Sequence, residues 1–268
     1  MQRLFNILII TITIFSFAIP SYAFQNKALT FAQVTDLHFL PTNESINNYG
    51  KLIDSINKDK QIDFVVFTGD NIDKANKEIL KEFLVLTKKL KVPYYIQTGN
   101  HDCAKALGLS KKDYIEYLNK YSRVNYKSFD YTIKKDDFVF VFVDGSKEYL
   151  PSANGYYKDD TLNWLNETIL KYKKKNVIIF QHYPLYNISQ ASPRNTYKPE
   201  LYLDLLQKHD NVKAIFSGHY HINDERYING IMHITTEPAK SGFSSYRKIY
   251  LTKEQNKTYE IYSQVVKF

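Results

Sequence analysis

The strongest constraint on the fold is a series of short, continuously apolar runs that alternate with amphipathic stretches. The run at residues 62–68 reads IDFVVFT, which is typical of a β-strand covered on both faces. The stretch at residues 74–90 carries apolar side chains at helical spacing and predicts an amphipathic helix. This alternation predicts an α/β protein in which helices flank sheets.

The same patterns continue along the chain. Further strands are predicted at residues 29–35, 92–98, 129–133, 138–143, 177–180, 212–216, 231–236, 246–251 and 258–266. Further helices are predicted at residues 46–57, 110–121, 159–172 and 200–208. Residues 134–137 predict a hairpin turn. The order of elements predicts two packed mixed sheets flanked by helices, without a linker that divides them.

The first 23 residues differ in composition from the rest of the chain. Arg3 supplies one positive charge, residues 4–19 are largely apolar, and small residues precede Ala23. This pattern predicts a signal peptide cleaved after Ala23, and therefore a periplasmic or secreted protein whose domain covers residues 24–268. The alternative is an uncleaved anchor, because the apolar run approaches the length of a transmembrane helix.

Charge and cysteine content narrow the class of protein. The chain has 36 Lys and Arg residues against 28 Asp and Glu residues, a formal net charge of +8. A basic surface attracts anions, but lysine-rich surfaces are commonly just solvated, so we predict no stable nucleic-acid partner. The single cysteine, Cys103, excludes an intramolecular disulfide.

Five polar segments, each directly after an apolar run, carry the chemistry of this sequence. They are Asp36-Leu37-His38, Gly69-Asp70, Gly99-Asn100-His101-Asp102, Gln181-His182-Tyr183-Pro184 and Gly218-His219-Tyr220-His221. They contain five of the seven histidines. Ligands of α/β proteins bind at the carboxyl ends of strands, so we expect these segments to meet.

The residue types in these segments indicate a metal site. Carboxylate, imidazole and amide groups without a thiolate cluster suit Mn, Fe or Zn in a catalytic site. In the Asp-x-His and His-x-His patterns, two side chains lie on the same side of an extended segment and can reach one ion. Glycines before Asp70, Asn100 and His219 predict sharp turns and close approach of the backbone.

The ordered pattern DxH…GD…GNHD…H…GHxH resembles the signature of the calcineurin-like metallophosphoesterases. The Asp-x-His and GNHD forms are similar to those of the cyclic-nucleotide phosphodiesterase-like branch. The resemblance implies a four-layer αββα sandwich, a small phosphate-ester substrate, and two divalent or trivalent metal ions whose identity stays open.

The resemblance also implies roles for individual residues. The expected ligands of one ion are Asp36, His38, Asp70 and His221, and those of the second are Asp70, Asn100, His182 and His219, so Asp70 bridges the ions. A hydroxide held between the ions is expected to attack phosphorus. His101 is the expected general acid, and Asp102 is expected to orient its imidazole or only to cap a turn. Asp73 is predicted to be the N-cap of the helix at residues 74–90.

Several alternatives remain open from the sequence. A phosphomonoesterase and a phosphodiesterase would share this metal centre, and residues 41–50, 145–157 and 185–198 would separate them. A non-catalytic anion-binding module is less favoured, because the ligand set and the candidate acid are complete. A nuclease, which would need DNA cleavage inhibited by salt, is also less favoured. Tyr183 and Tyr220 could stack on a nucleobase or wall the pocket, or they could only pack in the core or lie on the surface. Arg194 could reach a phosphate oxygen or lie exposed in its loop.

Overall fold

A computed structural model describes residues 27–189, 192–253 and 259–268. The predicted signal peptide and its cleavage site after Ala23 lie outside these ranges. Among the described residues, no helix is both long enough and apolar enough to cross a lipid bilayer.

Strands and helices alternate as the sequence patterns predict. The strands are β1 (Lys27–Val34), β2 (Phe64–Thr68), β3 (Tyr94–Gln97), β4 (Tyr131–Lys135), β5 (Phe138–Phe142), β6 (Asn176–Phe180), β7 (Val212–Ser217), β8 (Asp224–Ile228), β9 (Ile231–Thr235), β10 (Ser245–Lys253) and β11 (Tyr259–Lys267). The helices are α1 (Asn43–Lys58), α2 (Lys77–Thr87), α3 (Lys111–Tyr121), α4 (Asp159–Lys171) and α5 (Pro199–Leu206).

The strands form two mixed sheets, which confirms the predicted fold class. The first sheet has the order β11-β10-β1-β2-β3, with β1, β2 and β3 parallel. The second has the order β4-β5-β6-β7-β9-β8, with antiparallel strands at both edges and parallel strands between them. The carboxyl ends of β1, β2, β3, β6 and β7 therefore provide the loops that build the site.

The two sheets face each other across an aromatic core. Phe31 of β1 stacks on Phe64 of the same sheet and meets Phe140, Phe180 and Phe216 of the second sheet, with ring centroids 5.2 to 6.1 Å apart. Helices α1, α2 and α3 pack on the outer face of the first sheet, and α4 and α5 pack on the second. Helix, sheet, sheet and helix thus form the four predicted layers.

Two local features differ from the sequence prediction. Helix α2 begins at Lys77, because the side chain of Asn76 caps it by accepting from the backbone N–H groups of Glu78 and Ile79. The prediction that Asp73 caps this helix is therefore wrong. Strand β8 was not predicted because its sequence, DERYI, is polar and mostly exposed, as suits an edge strand that pairs only with β9.

Candidate metal centre

The predicted site residues meet at one edge of the sandwich. Asp36 and His38 follow β1, Asp70 follows β2, and Asn100 follows β3, whereas His182 follows β6 and both His219 and His221 follow β7. One sheet therefore supplies both carboxylates and the amide, and the other supplies three of the imidazoles. Packing of the two sheets brings these groups together.

The site segments turn sharply through left-handed backbone, so the expectation that the Asp-x-His and His-x-His segments are extended is wrong. Asp36, His38 and Asp70 have φ values of 50°, 45° and 50°, and His219 and His221 have φ values of 69° and 60°. Residues other than glycine rarely adopt this conformation, and such strain concentrates at functional sites. Backbone hydrogen bonds hold the turns: Asp36 N–H donates to the Gly69 carbonyl over 3.0 Å, and His38 N–H donates to the Asp70 carbonyl over 2.9 Å.

Glycine is required where two of these segments touch. At Gly69, with φ of 99°, a Cβ atom would lie 2.6 Å from Nδ1 of His182. At Gly218, a Cβ atom would collide with the side chains of Thr35 and Asp36. The predicted close approach of the backbone at these glycines is confirmed.

The histidines and aspartates form groups with the spacing of metal ligands. Asp36, His38 and His221 form one group, and Asp70, His182 and His219 form a second. In the first, Nε2 of His221 lies 3.2 Å from Oδ1 of Asp36. In the second, Nε2 of His182 lies 3.3 Å from Oδ2 of Asp70. The same Asp70 oxygen lies 3.8 Å from Nε2 of His38, so Asp70 faces both groups.

Unpaired polar atoms test whether the site fits a metal ion. Oδ1 of Asn100 and Nε2 of His38 are buried and, within the described residues, have no hydrogen-bond partner. Buried polar atoms are nearly always paired, so these two require a partner that the chain does not supply. Transition-metal ions that are intermediate between hard and soft prefer this set of carboxylate, imidazole and amide donors. The residues present therefore fit the metal ions that the sequence resemblance implies.

Backbone carbonyls orient two of the histidines. The carbonyl of Thr68 lies 2.9 Å from Nδ1 of His182, and the carbonyl of Arg194 lies 3.0 Å from Nε2 of His219. Because a carbonyl only accepts hydrogen bonds, each contact places the imidazole proton on that nitrogen. The other nitrogen keeps its lone pair for an ion, as is usual behind metal-ligating histidines.

Asp73 has a role in the site that sequence reasoning missed. Its carbonyl lies 2.7 Å from Nδ1 of His101, and its carboxylate lies 3.3 Å from Nδ1 of His38. The rings of His38 and His101 meet edge to face, with centroids 4.6 Å apart. The position of Asp73 three residues after Asp70 was the only available signal, and it matched a helix cap equally well.

Asp102 is fully buried behind the site rather than beside the imidazole of His101. Its carboxylate accepts from the backbone N–H groups of Gly99, Asn71 and Ile72 over 2.8 to 3.1 Å. Burial and the nearby charge of Asp70 raise the pKa of Asp102 to about 7. The observed bonds join the loops after β2 and β3 instead of capping the turn that follows Asp102.

Neighbouring opposite charges counteract the effect of burial on the pKa values of Asp36 and His182. Burial disfavours the ionised form of Asp36, but the charge of His182 and the hydrogen bond from His221 lower its pKa to about 2. Burial also disfavours the charged form of His182, yet Asp70 and Asp36 raise its pKa to about 9. Burial and the charge of His182 lower the pKa of His219 to about 3.

Aromatic side chains wall the second group. Tyr183 is fully buried, and its ring lies edge to face with His182 and His219 at centroid distances of 4.9 Å. The hydroxyl of Tyr220 donates to the carbonyl of Tyr186 over 2.7 Å. Both tyrosines therefore follow the packing alternative that the sequence left open.

Known proteins share this sequence pattern and this fold. Residues 29–223 match the Calcineurin-like phosphoesterase family. A protein of Colwellia psychrerythraea named a probable cyclic nucleotide phosphodiesterase is 28% identical over 81% of this chain and 80% of its own. A protein of Arcobacter nitrofigilis named a probable glycerophosphodiester phosphodiesterase is 30% identical over 65% of this chain and 62% of its own. A dimetal phosphatase from Danio rerio superposes with a TM-score of 0.67 at 17% identity, over 90% of this chain and 99% of that one.

The fold, the metal-binding groups and these relatives define a metal-dependent phosphoester hydrolase. The chain belongs to the calcineurin-like phosphoesterase family. The resemblance to the cyclic-nucleotide phosphodiesterase-like branch is also confirmed, because relatives carry that name.

Proposed function

We propose that this protein is an exported phosphodiesterase that works with two transition-metal ions. The observation that carries the proposal is the position of Asp70, whose carboxylate faces both ligand groups. The names of the relatives favour diester over monoester substrates. Export rests on the sequence of residues 1–23 alone.

Each ligand group holds one ion in this proposal. One ion would be held by Asp36, His38, Asp70 and His221. The other would be held by Asp70, Asn100, His182 and His219. When bound, the ions polarise the phosphoryl oxygens and acidify a water molecule. The carbonyls of Thr68 and Arg194 keep His182 and His219 in the tautomer that ligation needs.

His101 donates the proton that the leaving oxygen requires. The carbonyl of Asp73 holds the proton on Nδ1, so the proton available for transfer is the one on Nε2 of the imidazolium. The half-buried ring stands next to His38 and faces the same edge as the ligand groups.

A panel of nitrophenyl esters tests the substrate class. We expect the purified, manganese-loaded protein to hydrolyse bis(4-nitrophenyl) phosphate faster than 4-nitrophenyl phosphate, and we expect His182→Ala to be inactive with less bound metal. A strong preference for the monoester contradicts the diesterase assignment. A metal-loaded protein that is inert toward both esters contradicts the enzyme assignment.

His101→Ala separates the general acid from the metal centre. We expect this variant to keep its metal and to lose about 100-fold or more of its rate on esters with poor leaving groups. The loss should be smaller on 4-nitrophenyl esters, because 4-nitrophenolate leaves without a proton. Equal losses across leaving groups would remove His101 from the proposed role.

Localisation is tested separately in the source organism. We expect the protein in the periplasmic or culture fraction, with an amino terminus at Phe24 by peptide sequencing. Recovery of the uncleaved chain with the membranes would support the anchor alternative instead.

A further inference from the structure

A groove of about 250 Å³ lies at the segment that follows β5, and His182 follows the neighbouring parallel strand β6 at the same edge of the sheet. Its walls come from the start of α3 and from the segment between β5 and α4, and they include Ser146, Tyr149, Leu150 and Tyr156. Sequence reasoning assigned residues 145–157 to substrate discrimination without predicting their structure.

Two contacts connect the groove to the ligand groups. The hydroxyls of Ser146 and Thr98 lie 3.1 Å apart, and Thr98 precedes Asn100 by two residues. The hydroxyl of Tyr157 donates to the carbonyl of Tyr183 over 3.1 Å, and the Tyr183 ring packs on His182. Both contacts run through buried side chains, so the groove and the ligand groups are supported by the same packed residues at this edge.

Large apolar side chains line the groove without being covered. Leu150 is 82% exposed, Tyr149 is 67% exposed, and Tyr156 is 37% exposed. Exposed apolar groups that cluster in a concave surface mark binding sites, because a ligand that covers them gains the hydrophobic free energy.

Three lysines and one carboxylate, that of Glu148, line the groove, so positive charge is in excess at the rim. Lys111 is neutralised by Asp144, and Glu148 accepts the backbone N–H of Lys111. Nζ of Lys147, in contrast, donates to the neutral amide oxygen of Asn154 over 2.7 Å. No carboxylate in the described ranges forms an ion pair with Lys147 or Lys158. Exposed apolar side chains next to ammonium groups that have no ion-pair partner are complementary to an amphipathic anion.

We propose that this groove binds the alkyl chain of an amphipathic phosphodiester whose phosphate lies in the metal centre. The inference rests on the proposed function and deepens it by naming the class of alcohol. Lys147 and Lys158 attract the anionic substrate, and Tyr149, Leu150 and Tyr156 cover its chain.

Methyl, butyl and octyl 4-nitrophenyl phosphates test the groove, at concentrations below micelle formation. Since the leaving group is constant, chain length is the only variable. We expect kcat/KM to rise by up to about fourfold for each methylene that the groove buries. Tyr149→Ser combined with Leu150→Ser should remove this rise. Leu170→Ser is the matched control, because this exposed leucine lies near the end of α4, outside the groove.

Calorimetric binding of octyl phosphate gives a readout without turnover. We expect at least about tenfold weaker binding in the double variant, with binding of inorganic phosphate unchanged. A rate and an affinity that do not depend on chain length overturn the inference, while hydrolysis of the methyl ester keeps the proposed function. Inert esters with chain-dependent binding support the groove and overturn the proposed function instead. A chain-length effect that survives in the double variant overturns the assignment to this groove.

Discussion

The middle of the sandwich and its carboxyl edge both hold fully buried side chains, but these side chains are chemically opposite. Phe31 and Asp36 lie five positions apart, at and just after β1, and both have 0% exposure. Phe31 is surrounded by other aromatic rings, whereas Asp36 faces imidazoles and has left-handed backbone. The packed middle stabilises the fold, and the strained backbone at the edge depends on that stability.

The largest effect is expected from Asp70→Asn, which changes only the edge. Loss of the charge that faces both ligand groups should lower the diesterase rate by about 1,000-fold or more. Metal content, measured by mass spectrometry, should fall with it. Asp54→Asn, on the exposed face of α1, is the control and should keep both. A variant that retains its rate would show that Asp70 does not join two ions.

Phe31→Ala changes only the middle. Loss of this ring from the aromatic core should reduce the free energy of unfolding by about 3–5 kcal/mol, as followed by urea denaturation. The molecules that remain folded should still bind metal, because no ligand is altered. Tyr227→Ala, at a side chain that is 73% exposed, should change stability little. If Phe31→Ala also abolished metal binding in the folded fraction, the two regions would not be separable.

Asp73→Ala and Asn76→Ala compare two residues of one loop, of which the first lies beside His38 and the second caps α2. Asp73→Ala removes the carboxylate beside His38, so metal affinity should fall about 10- to 100-fold while stability stays nearly unchanged. Asn76→Ala removes the cap of α2, so stability should fall by about 1 kcal/mol while metal affinity stays unchanged. Metal titration and thermal unfolding of both variants measure this. The reverse pattern would restore the interpretation of Asp73 as the helix cap.

The sequence by itself determined the fold class and the segments of the site. Continuous apolar runs predict buried strands because both faces of a central strand exclude water, and the polar residues after each run predict where a ligand binds. Polar edge strands such as β8 escaped prediction, since they carry no such run.

The groups that orient the histidines of the site can be identified only from the folded structure. The carbonyls of Thr68, Arg194 and Asp73 orient three histidines, and a carbonyl is common to every residue, so no pattern of side chains can reveal it. The same holds for Asp73 and Asn76, which a capping rule cannot distinguish because both are local acceptors before a helix. The difference between them arises from the parallel strands of the first sheet, which bring His38 and His101, both distant in sequence, to the loop that holds Asp73.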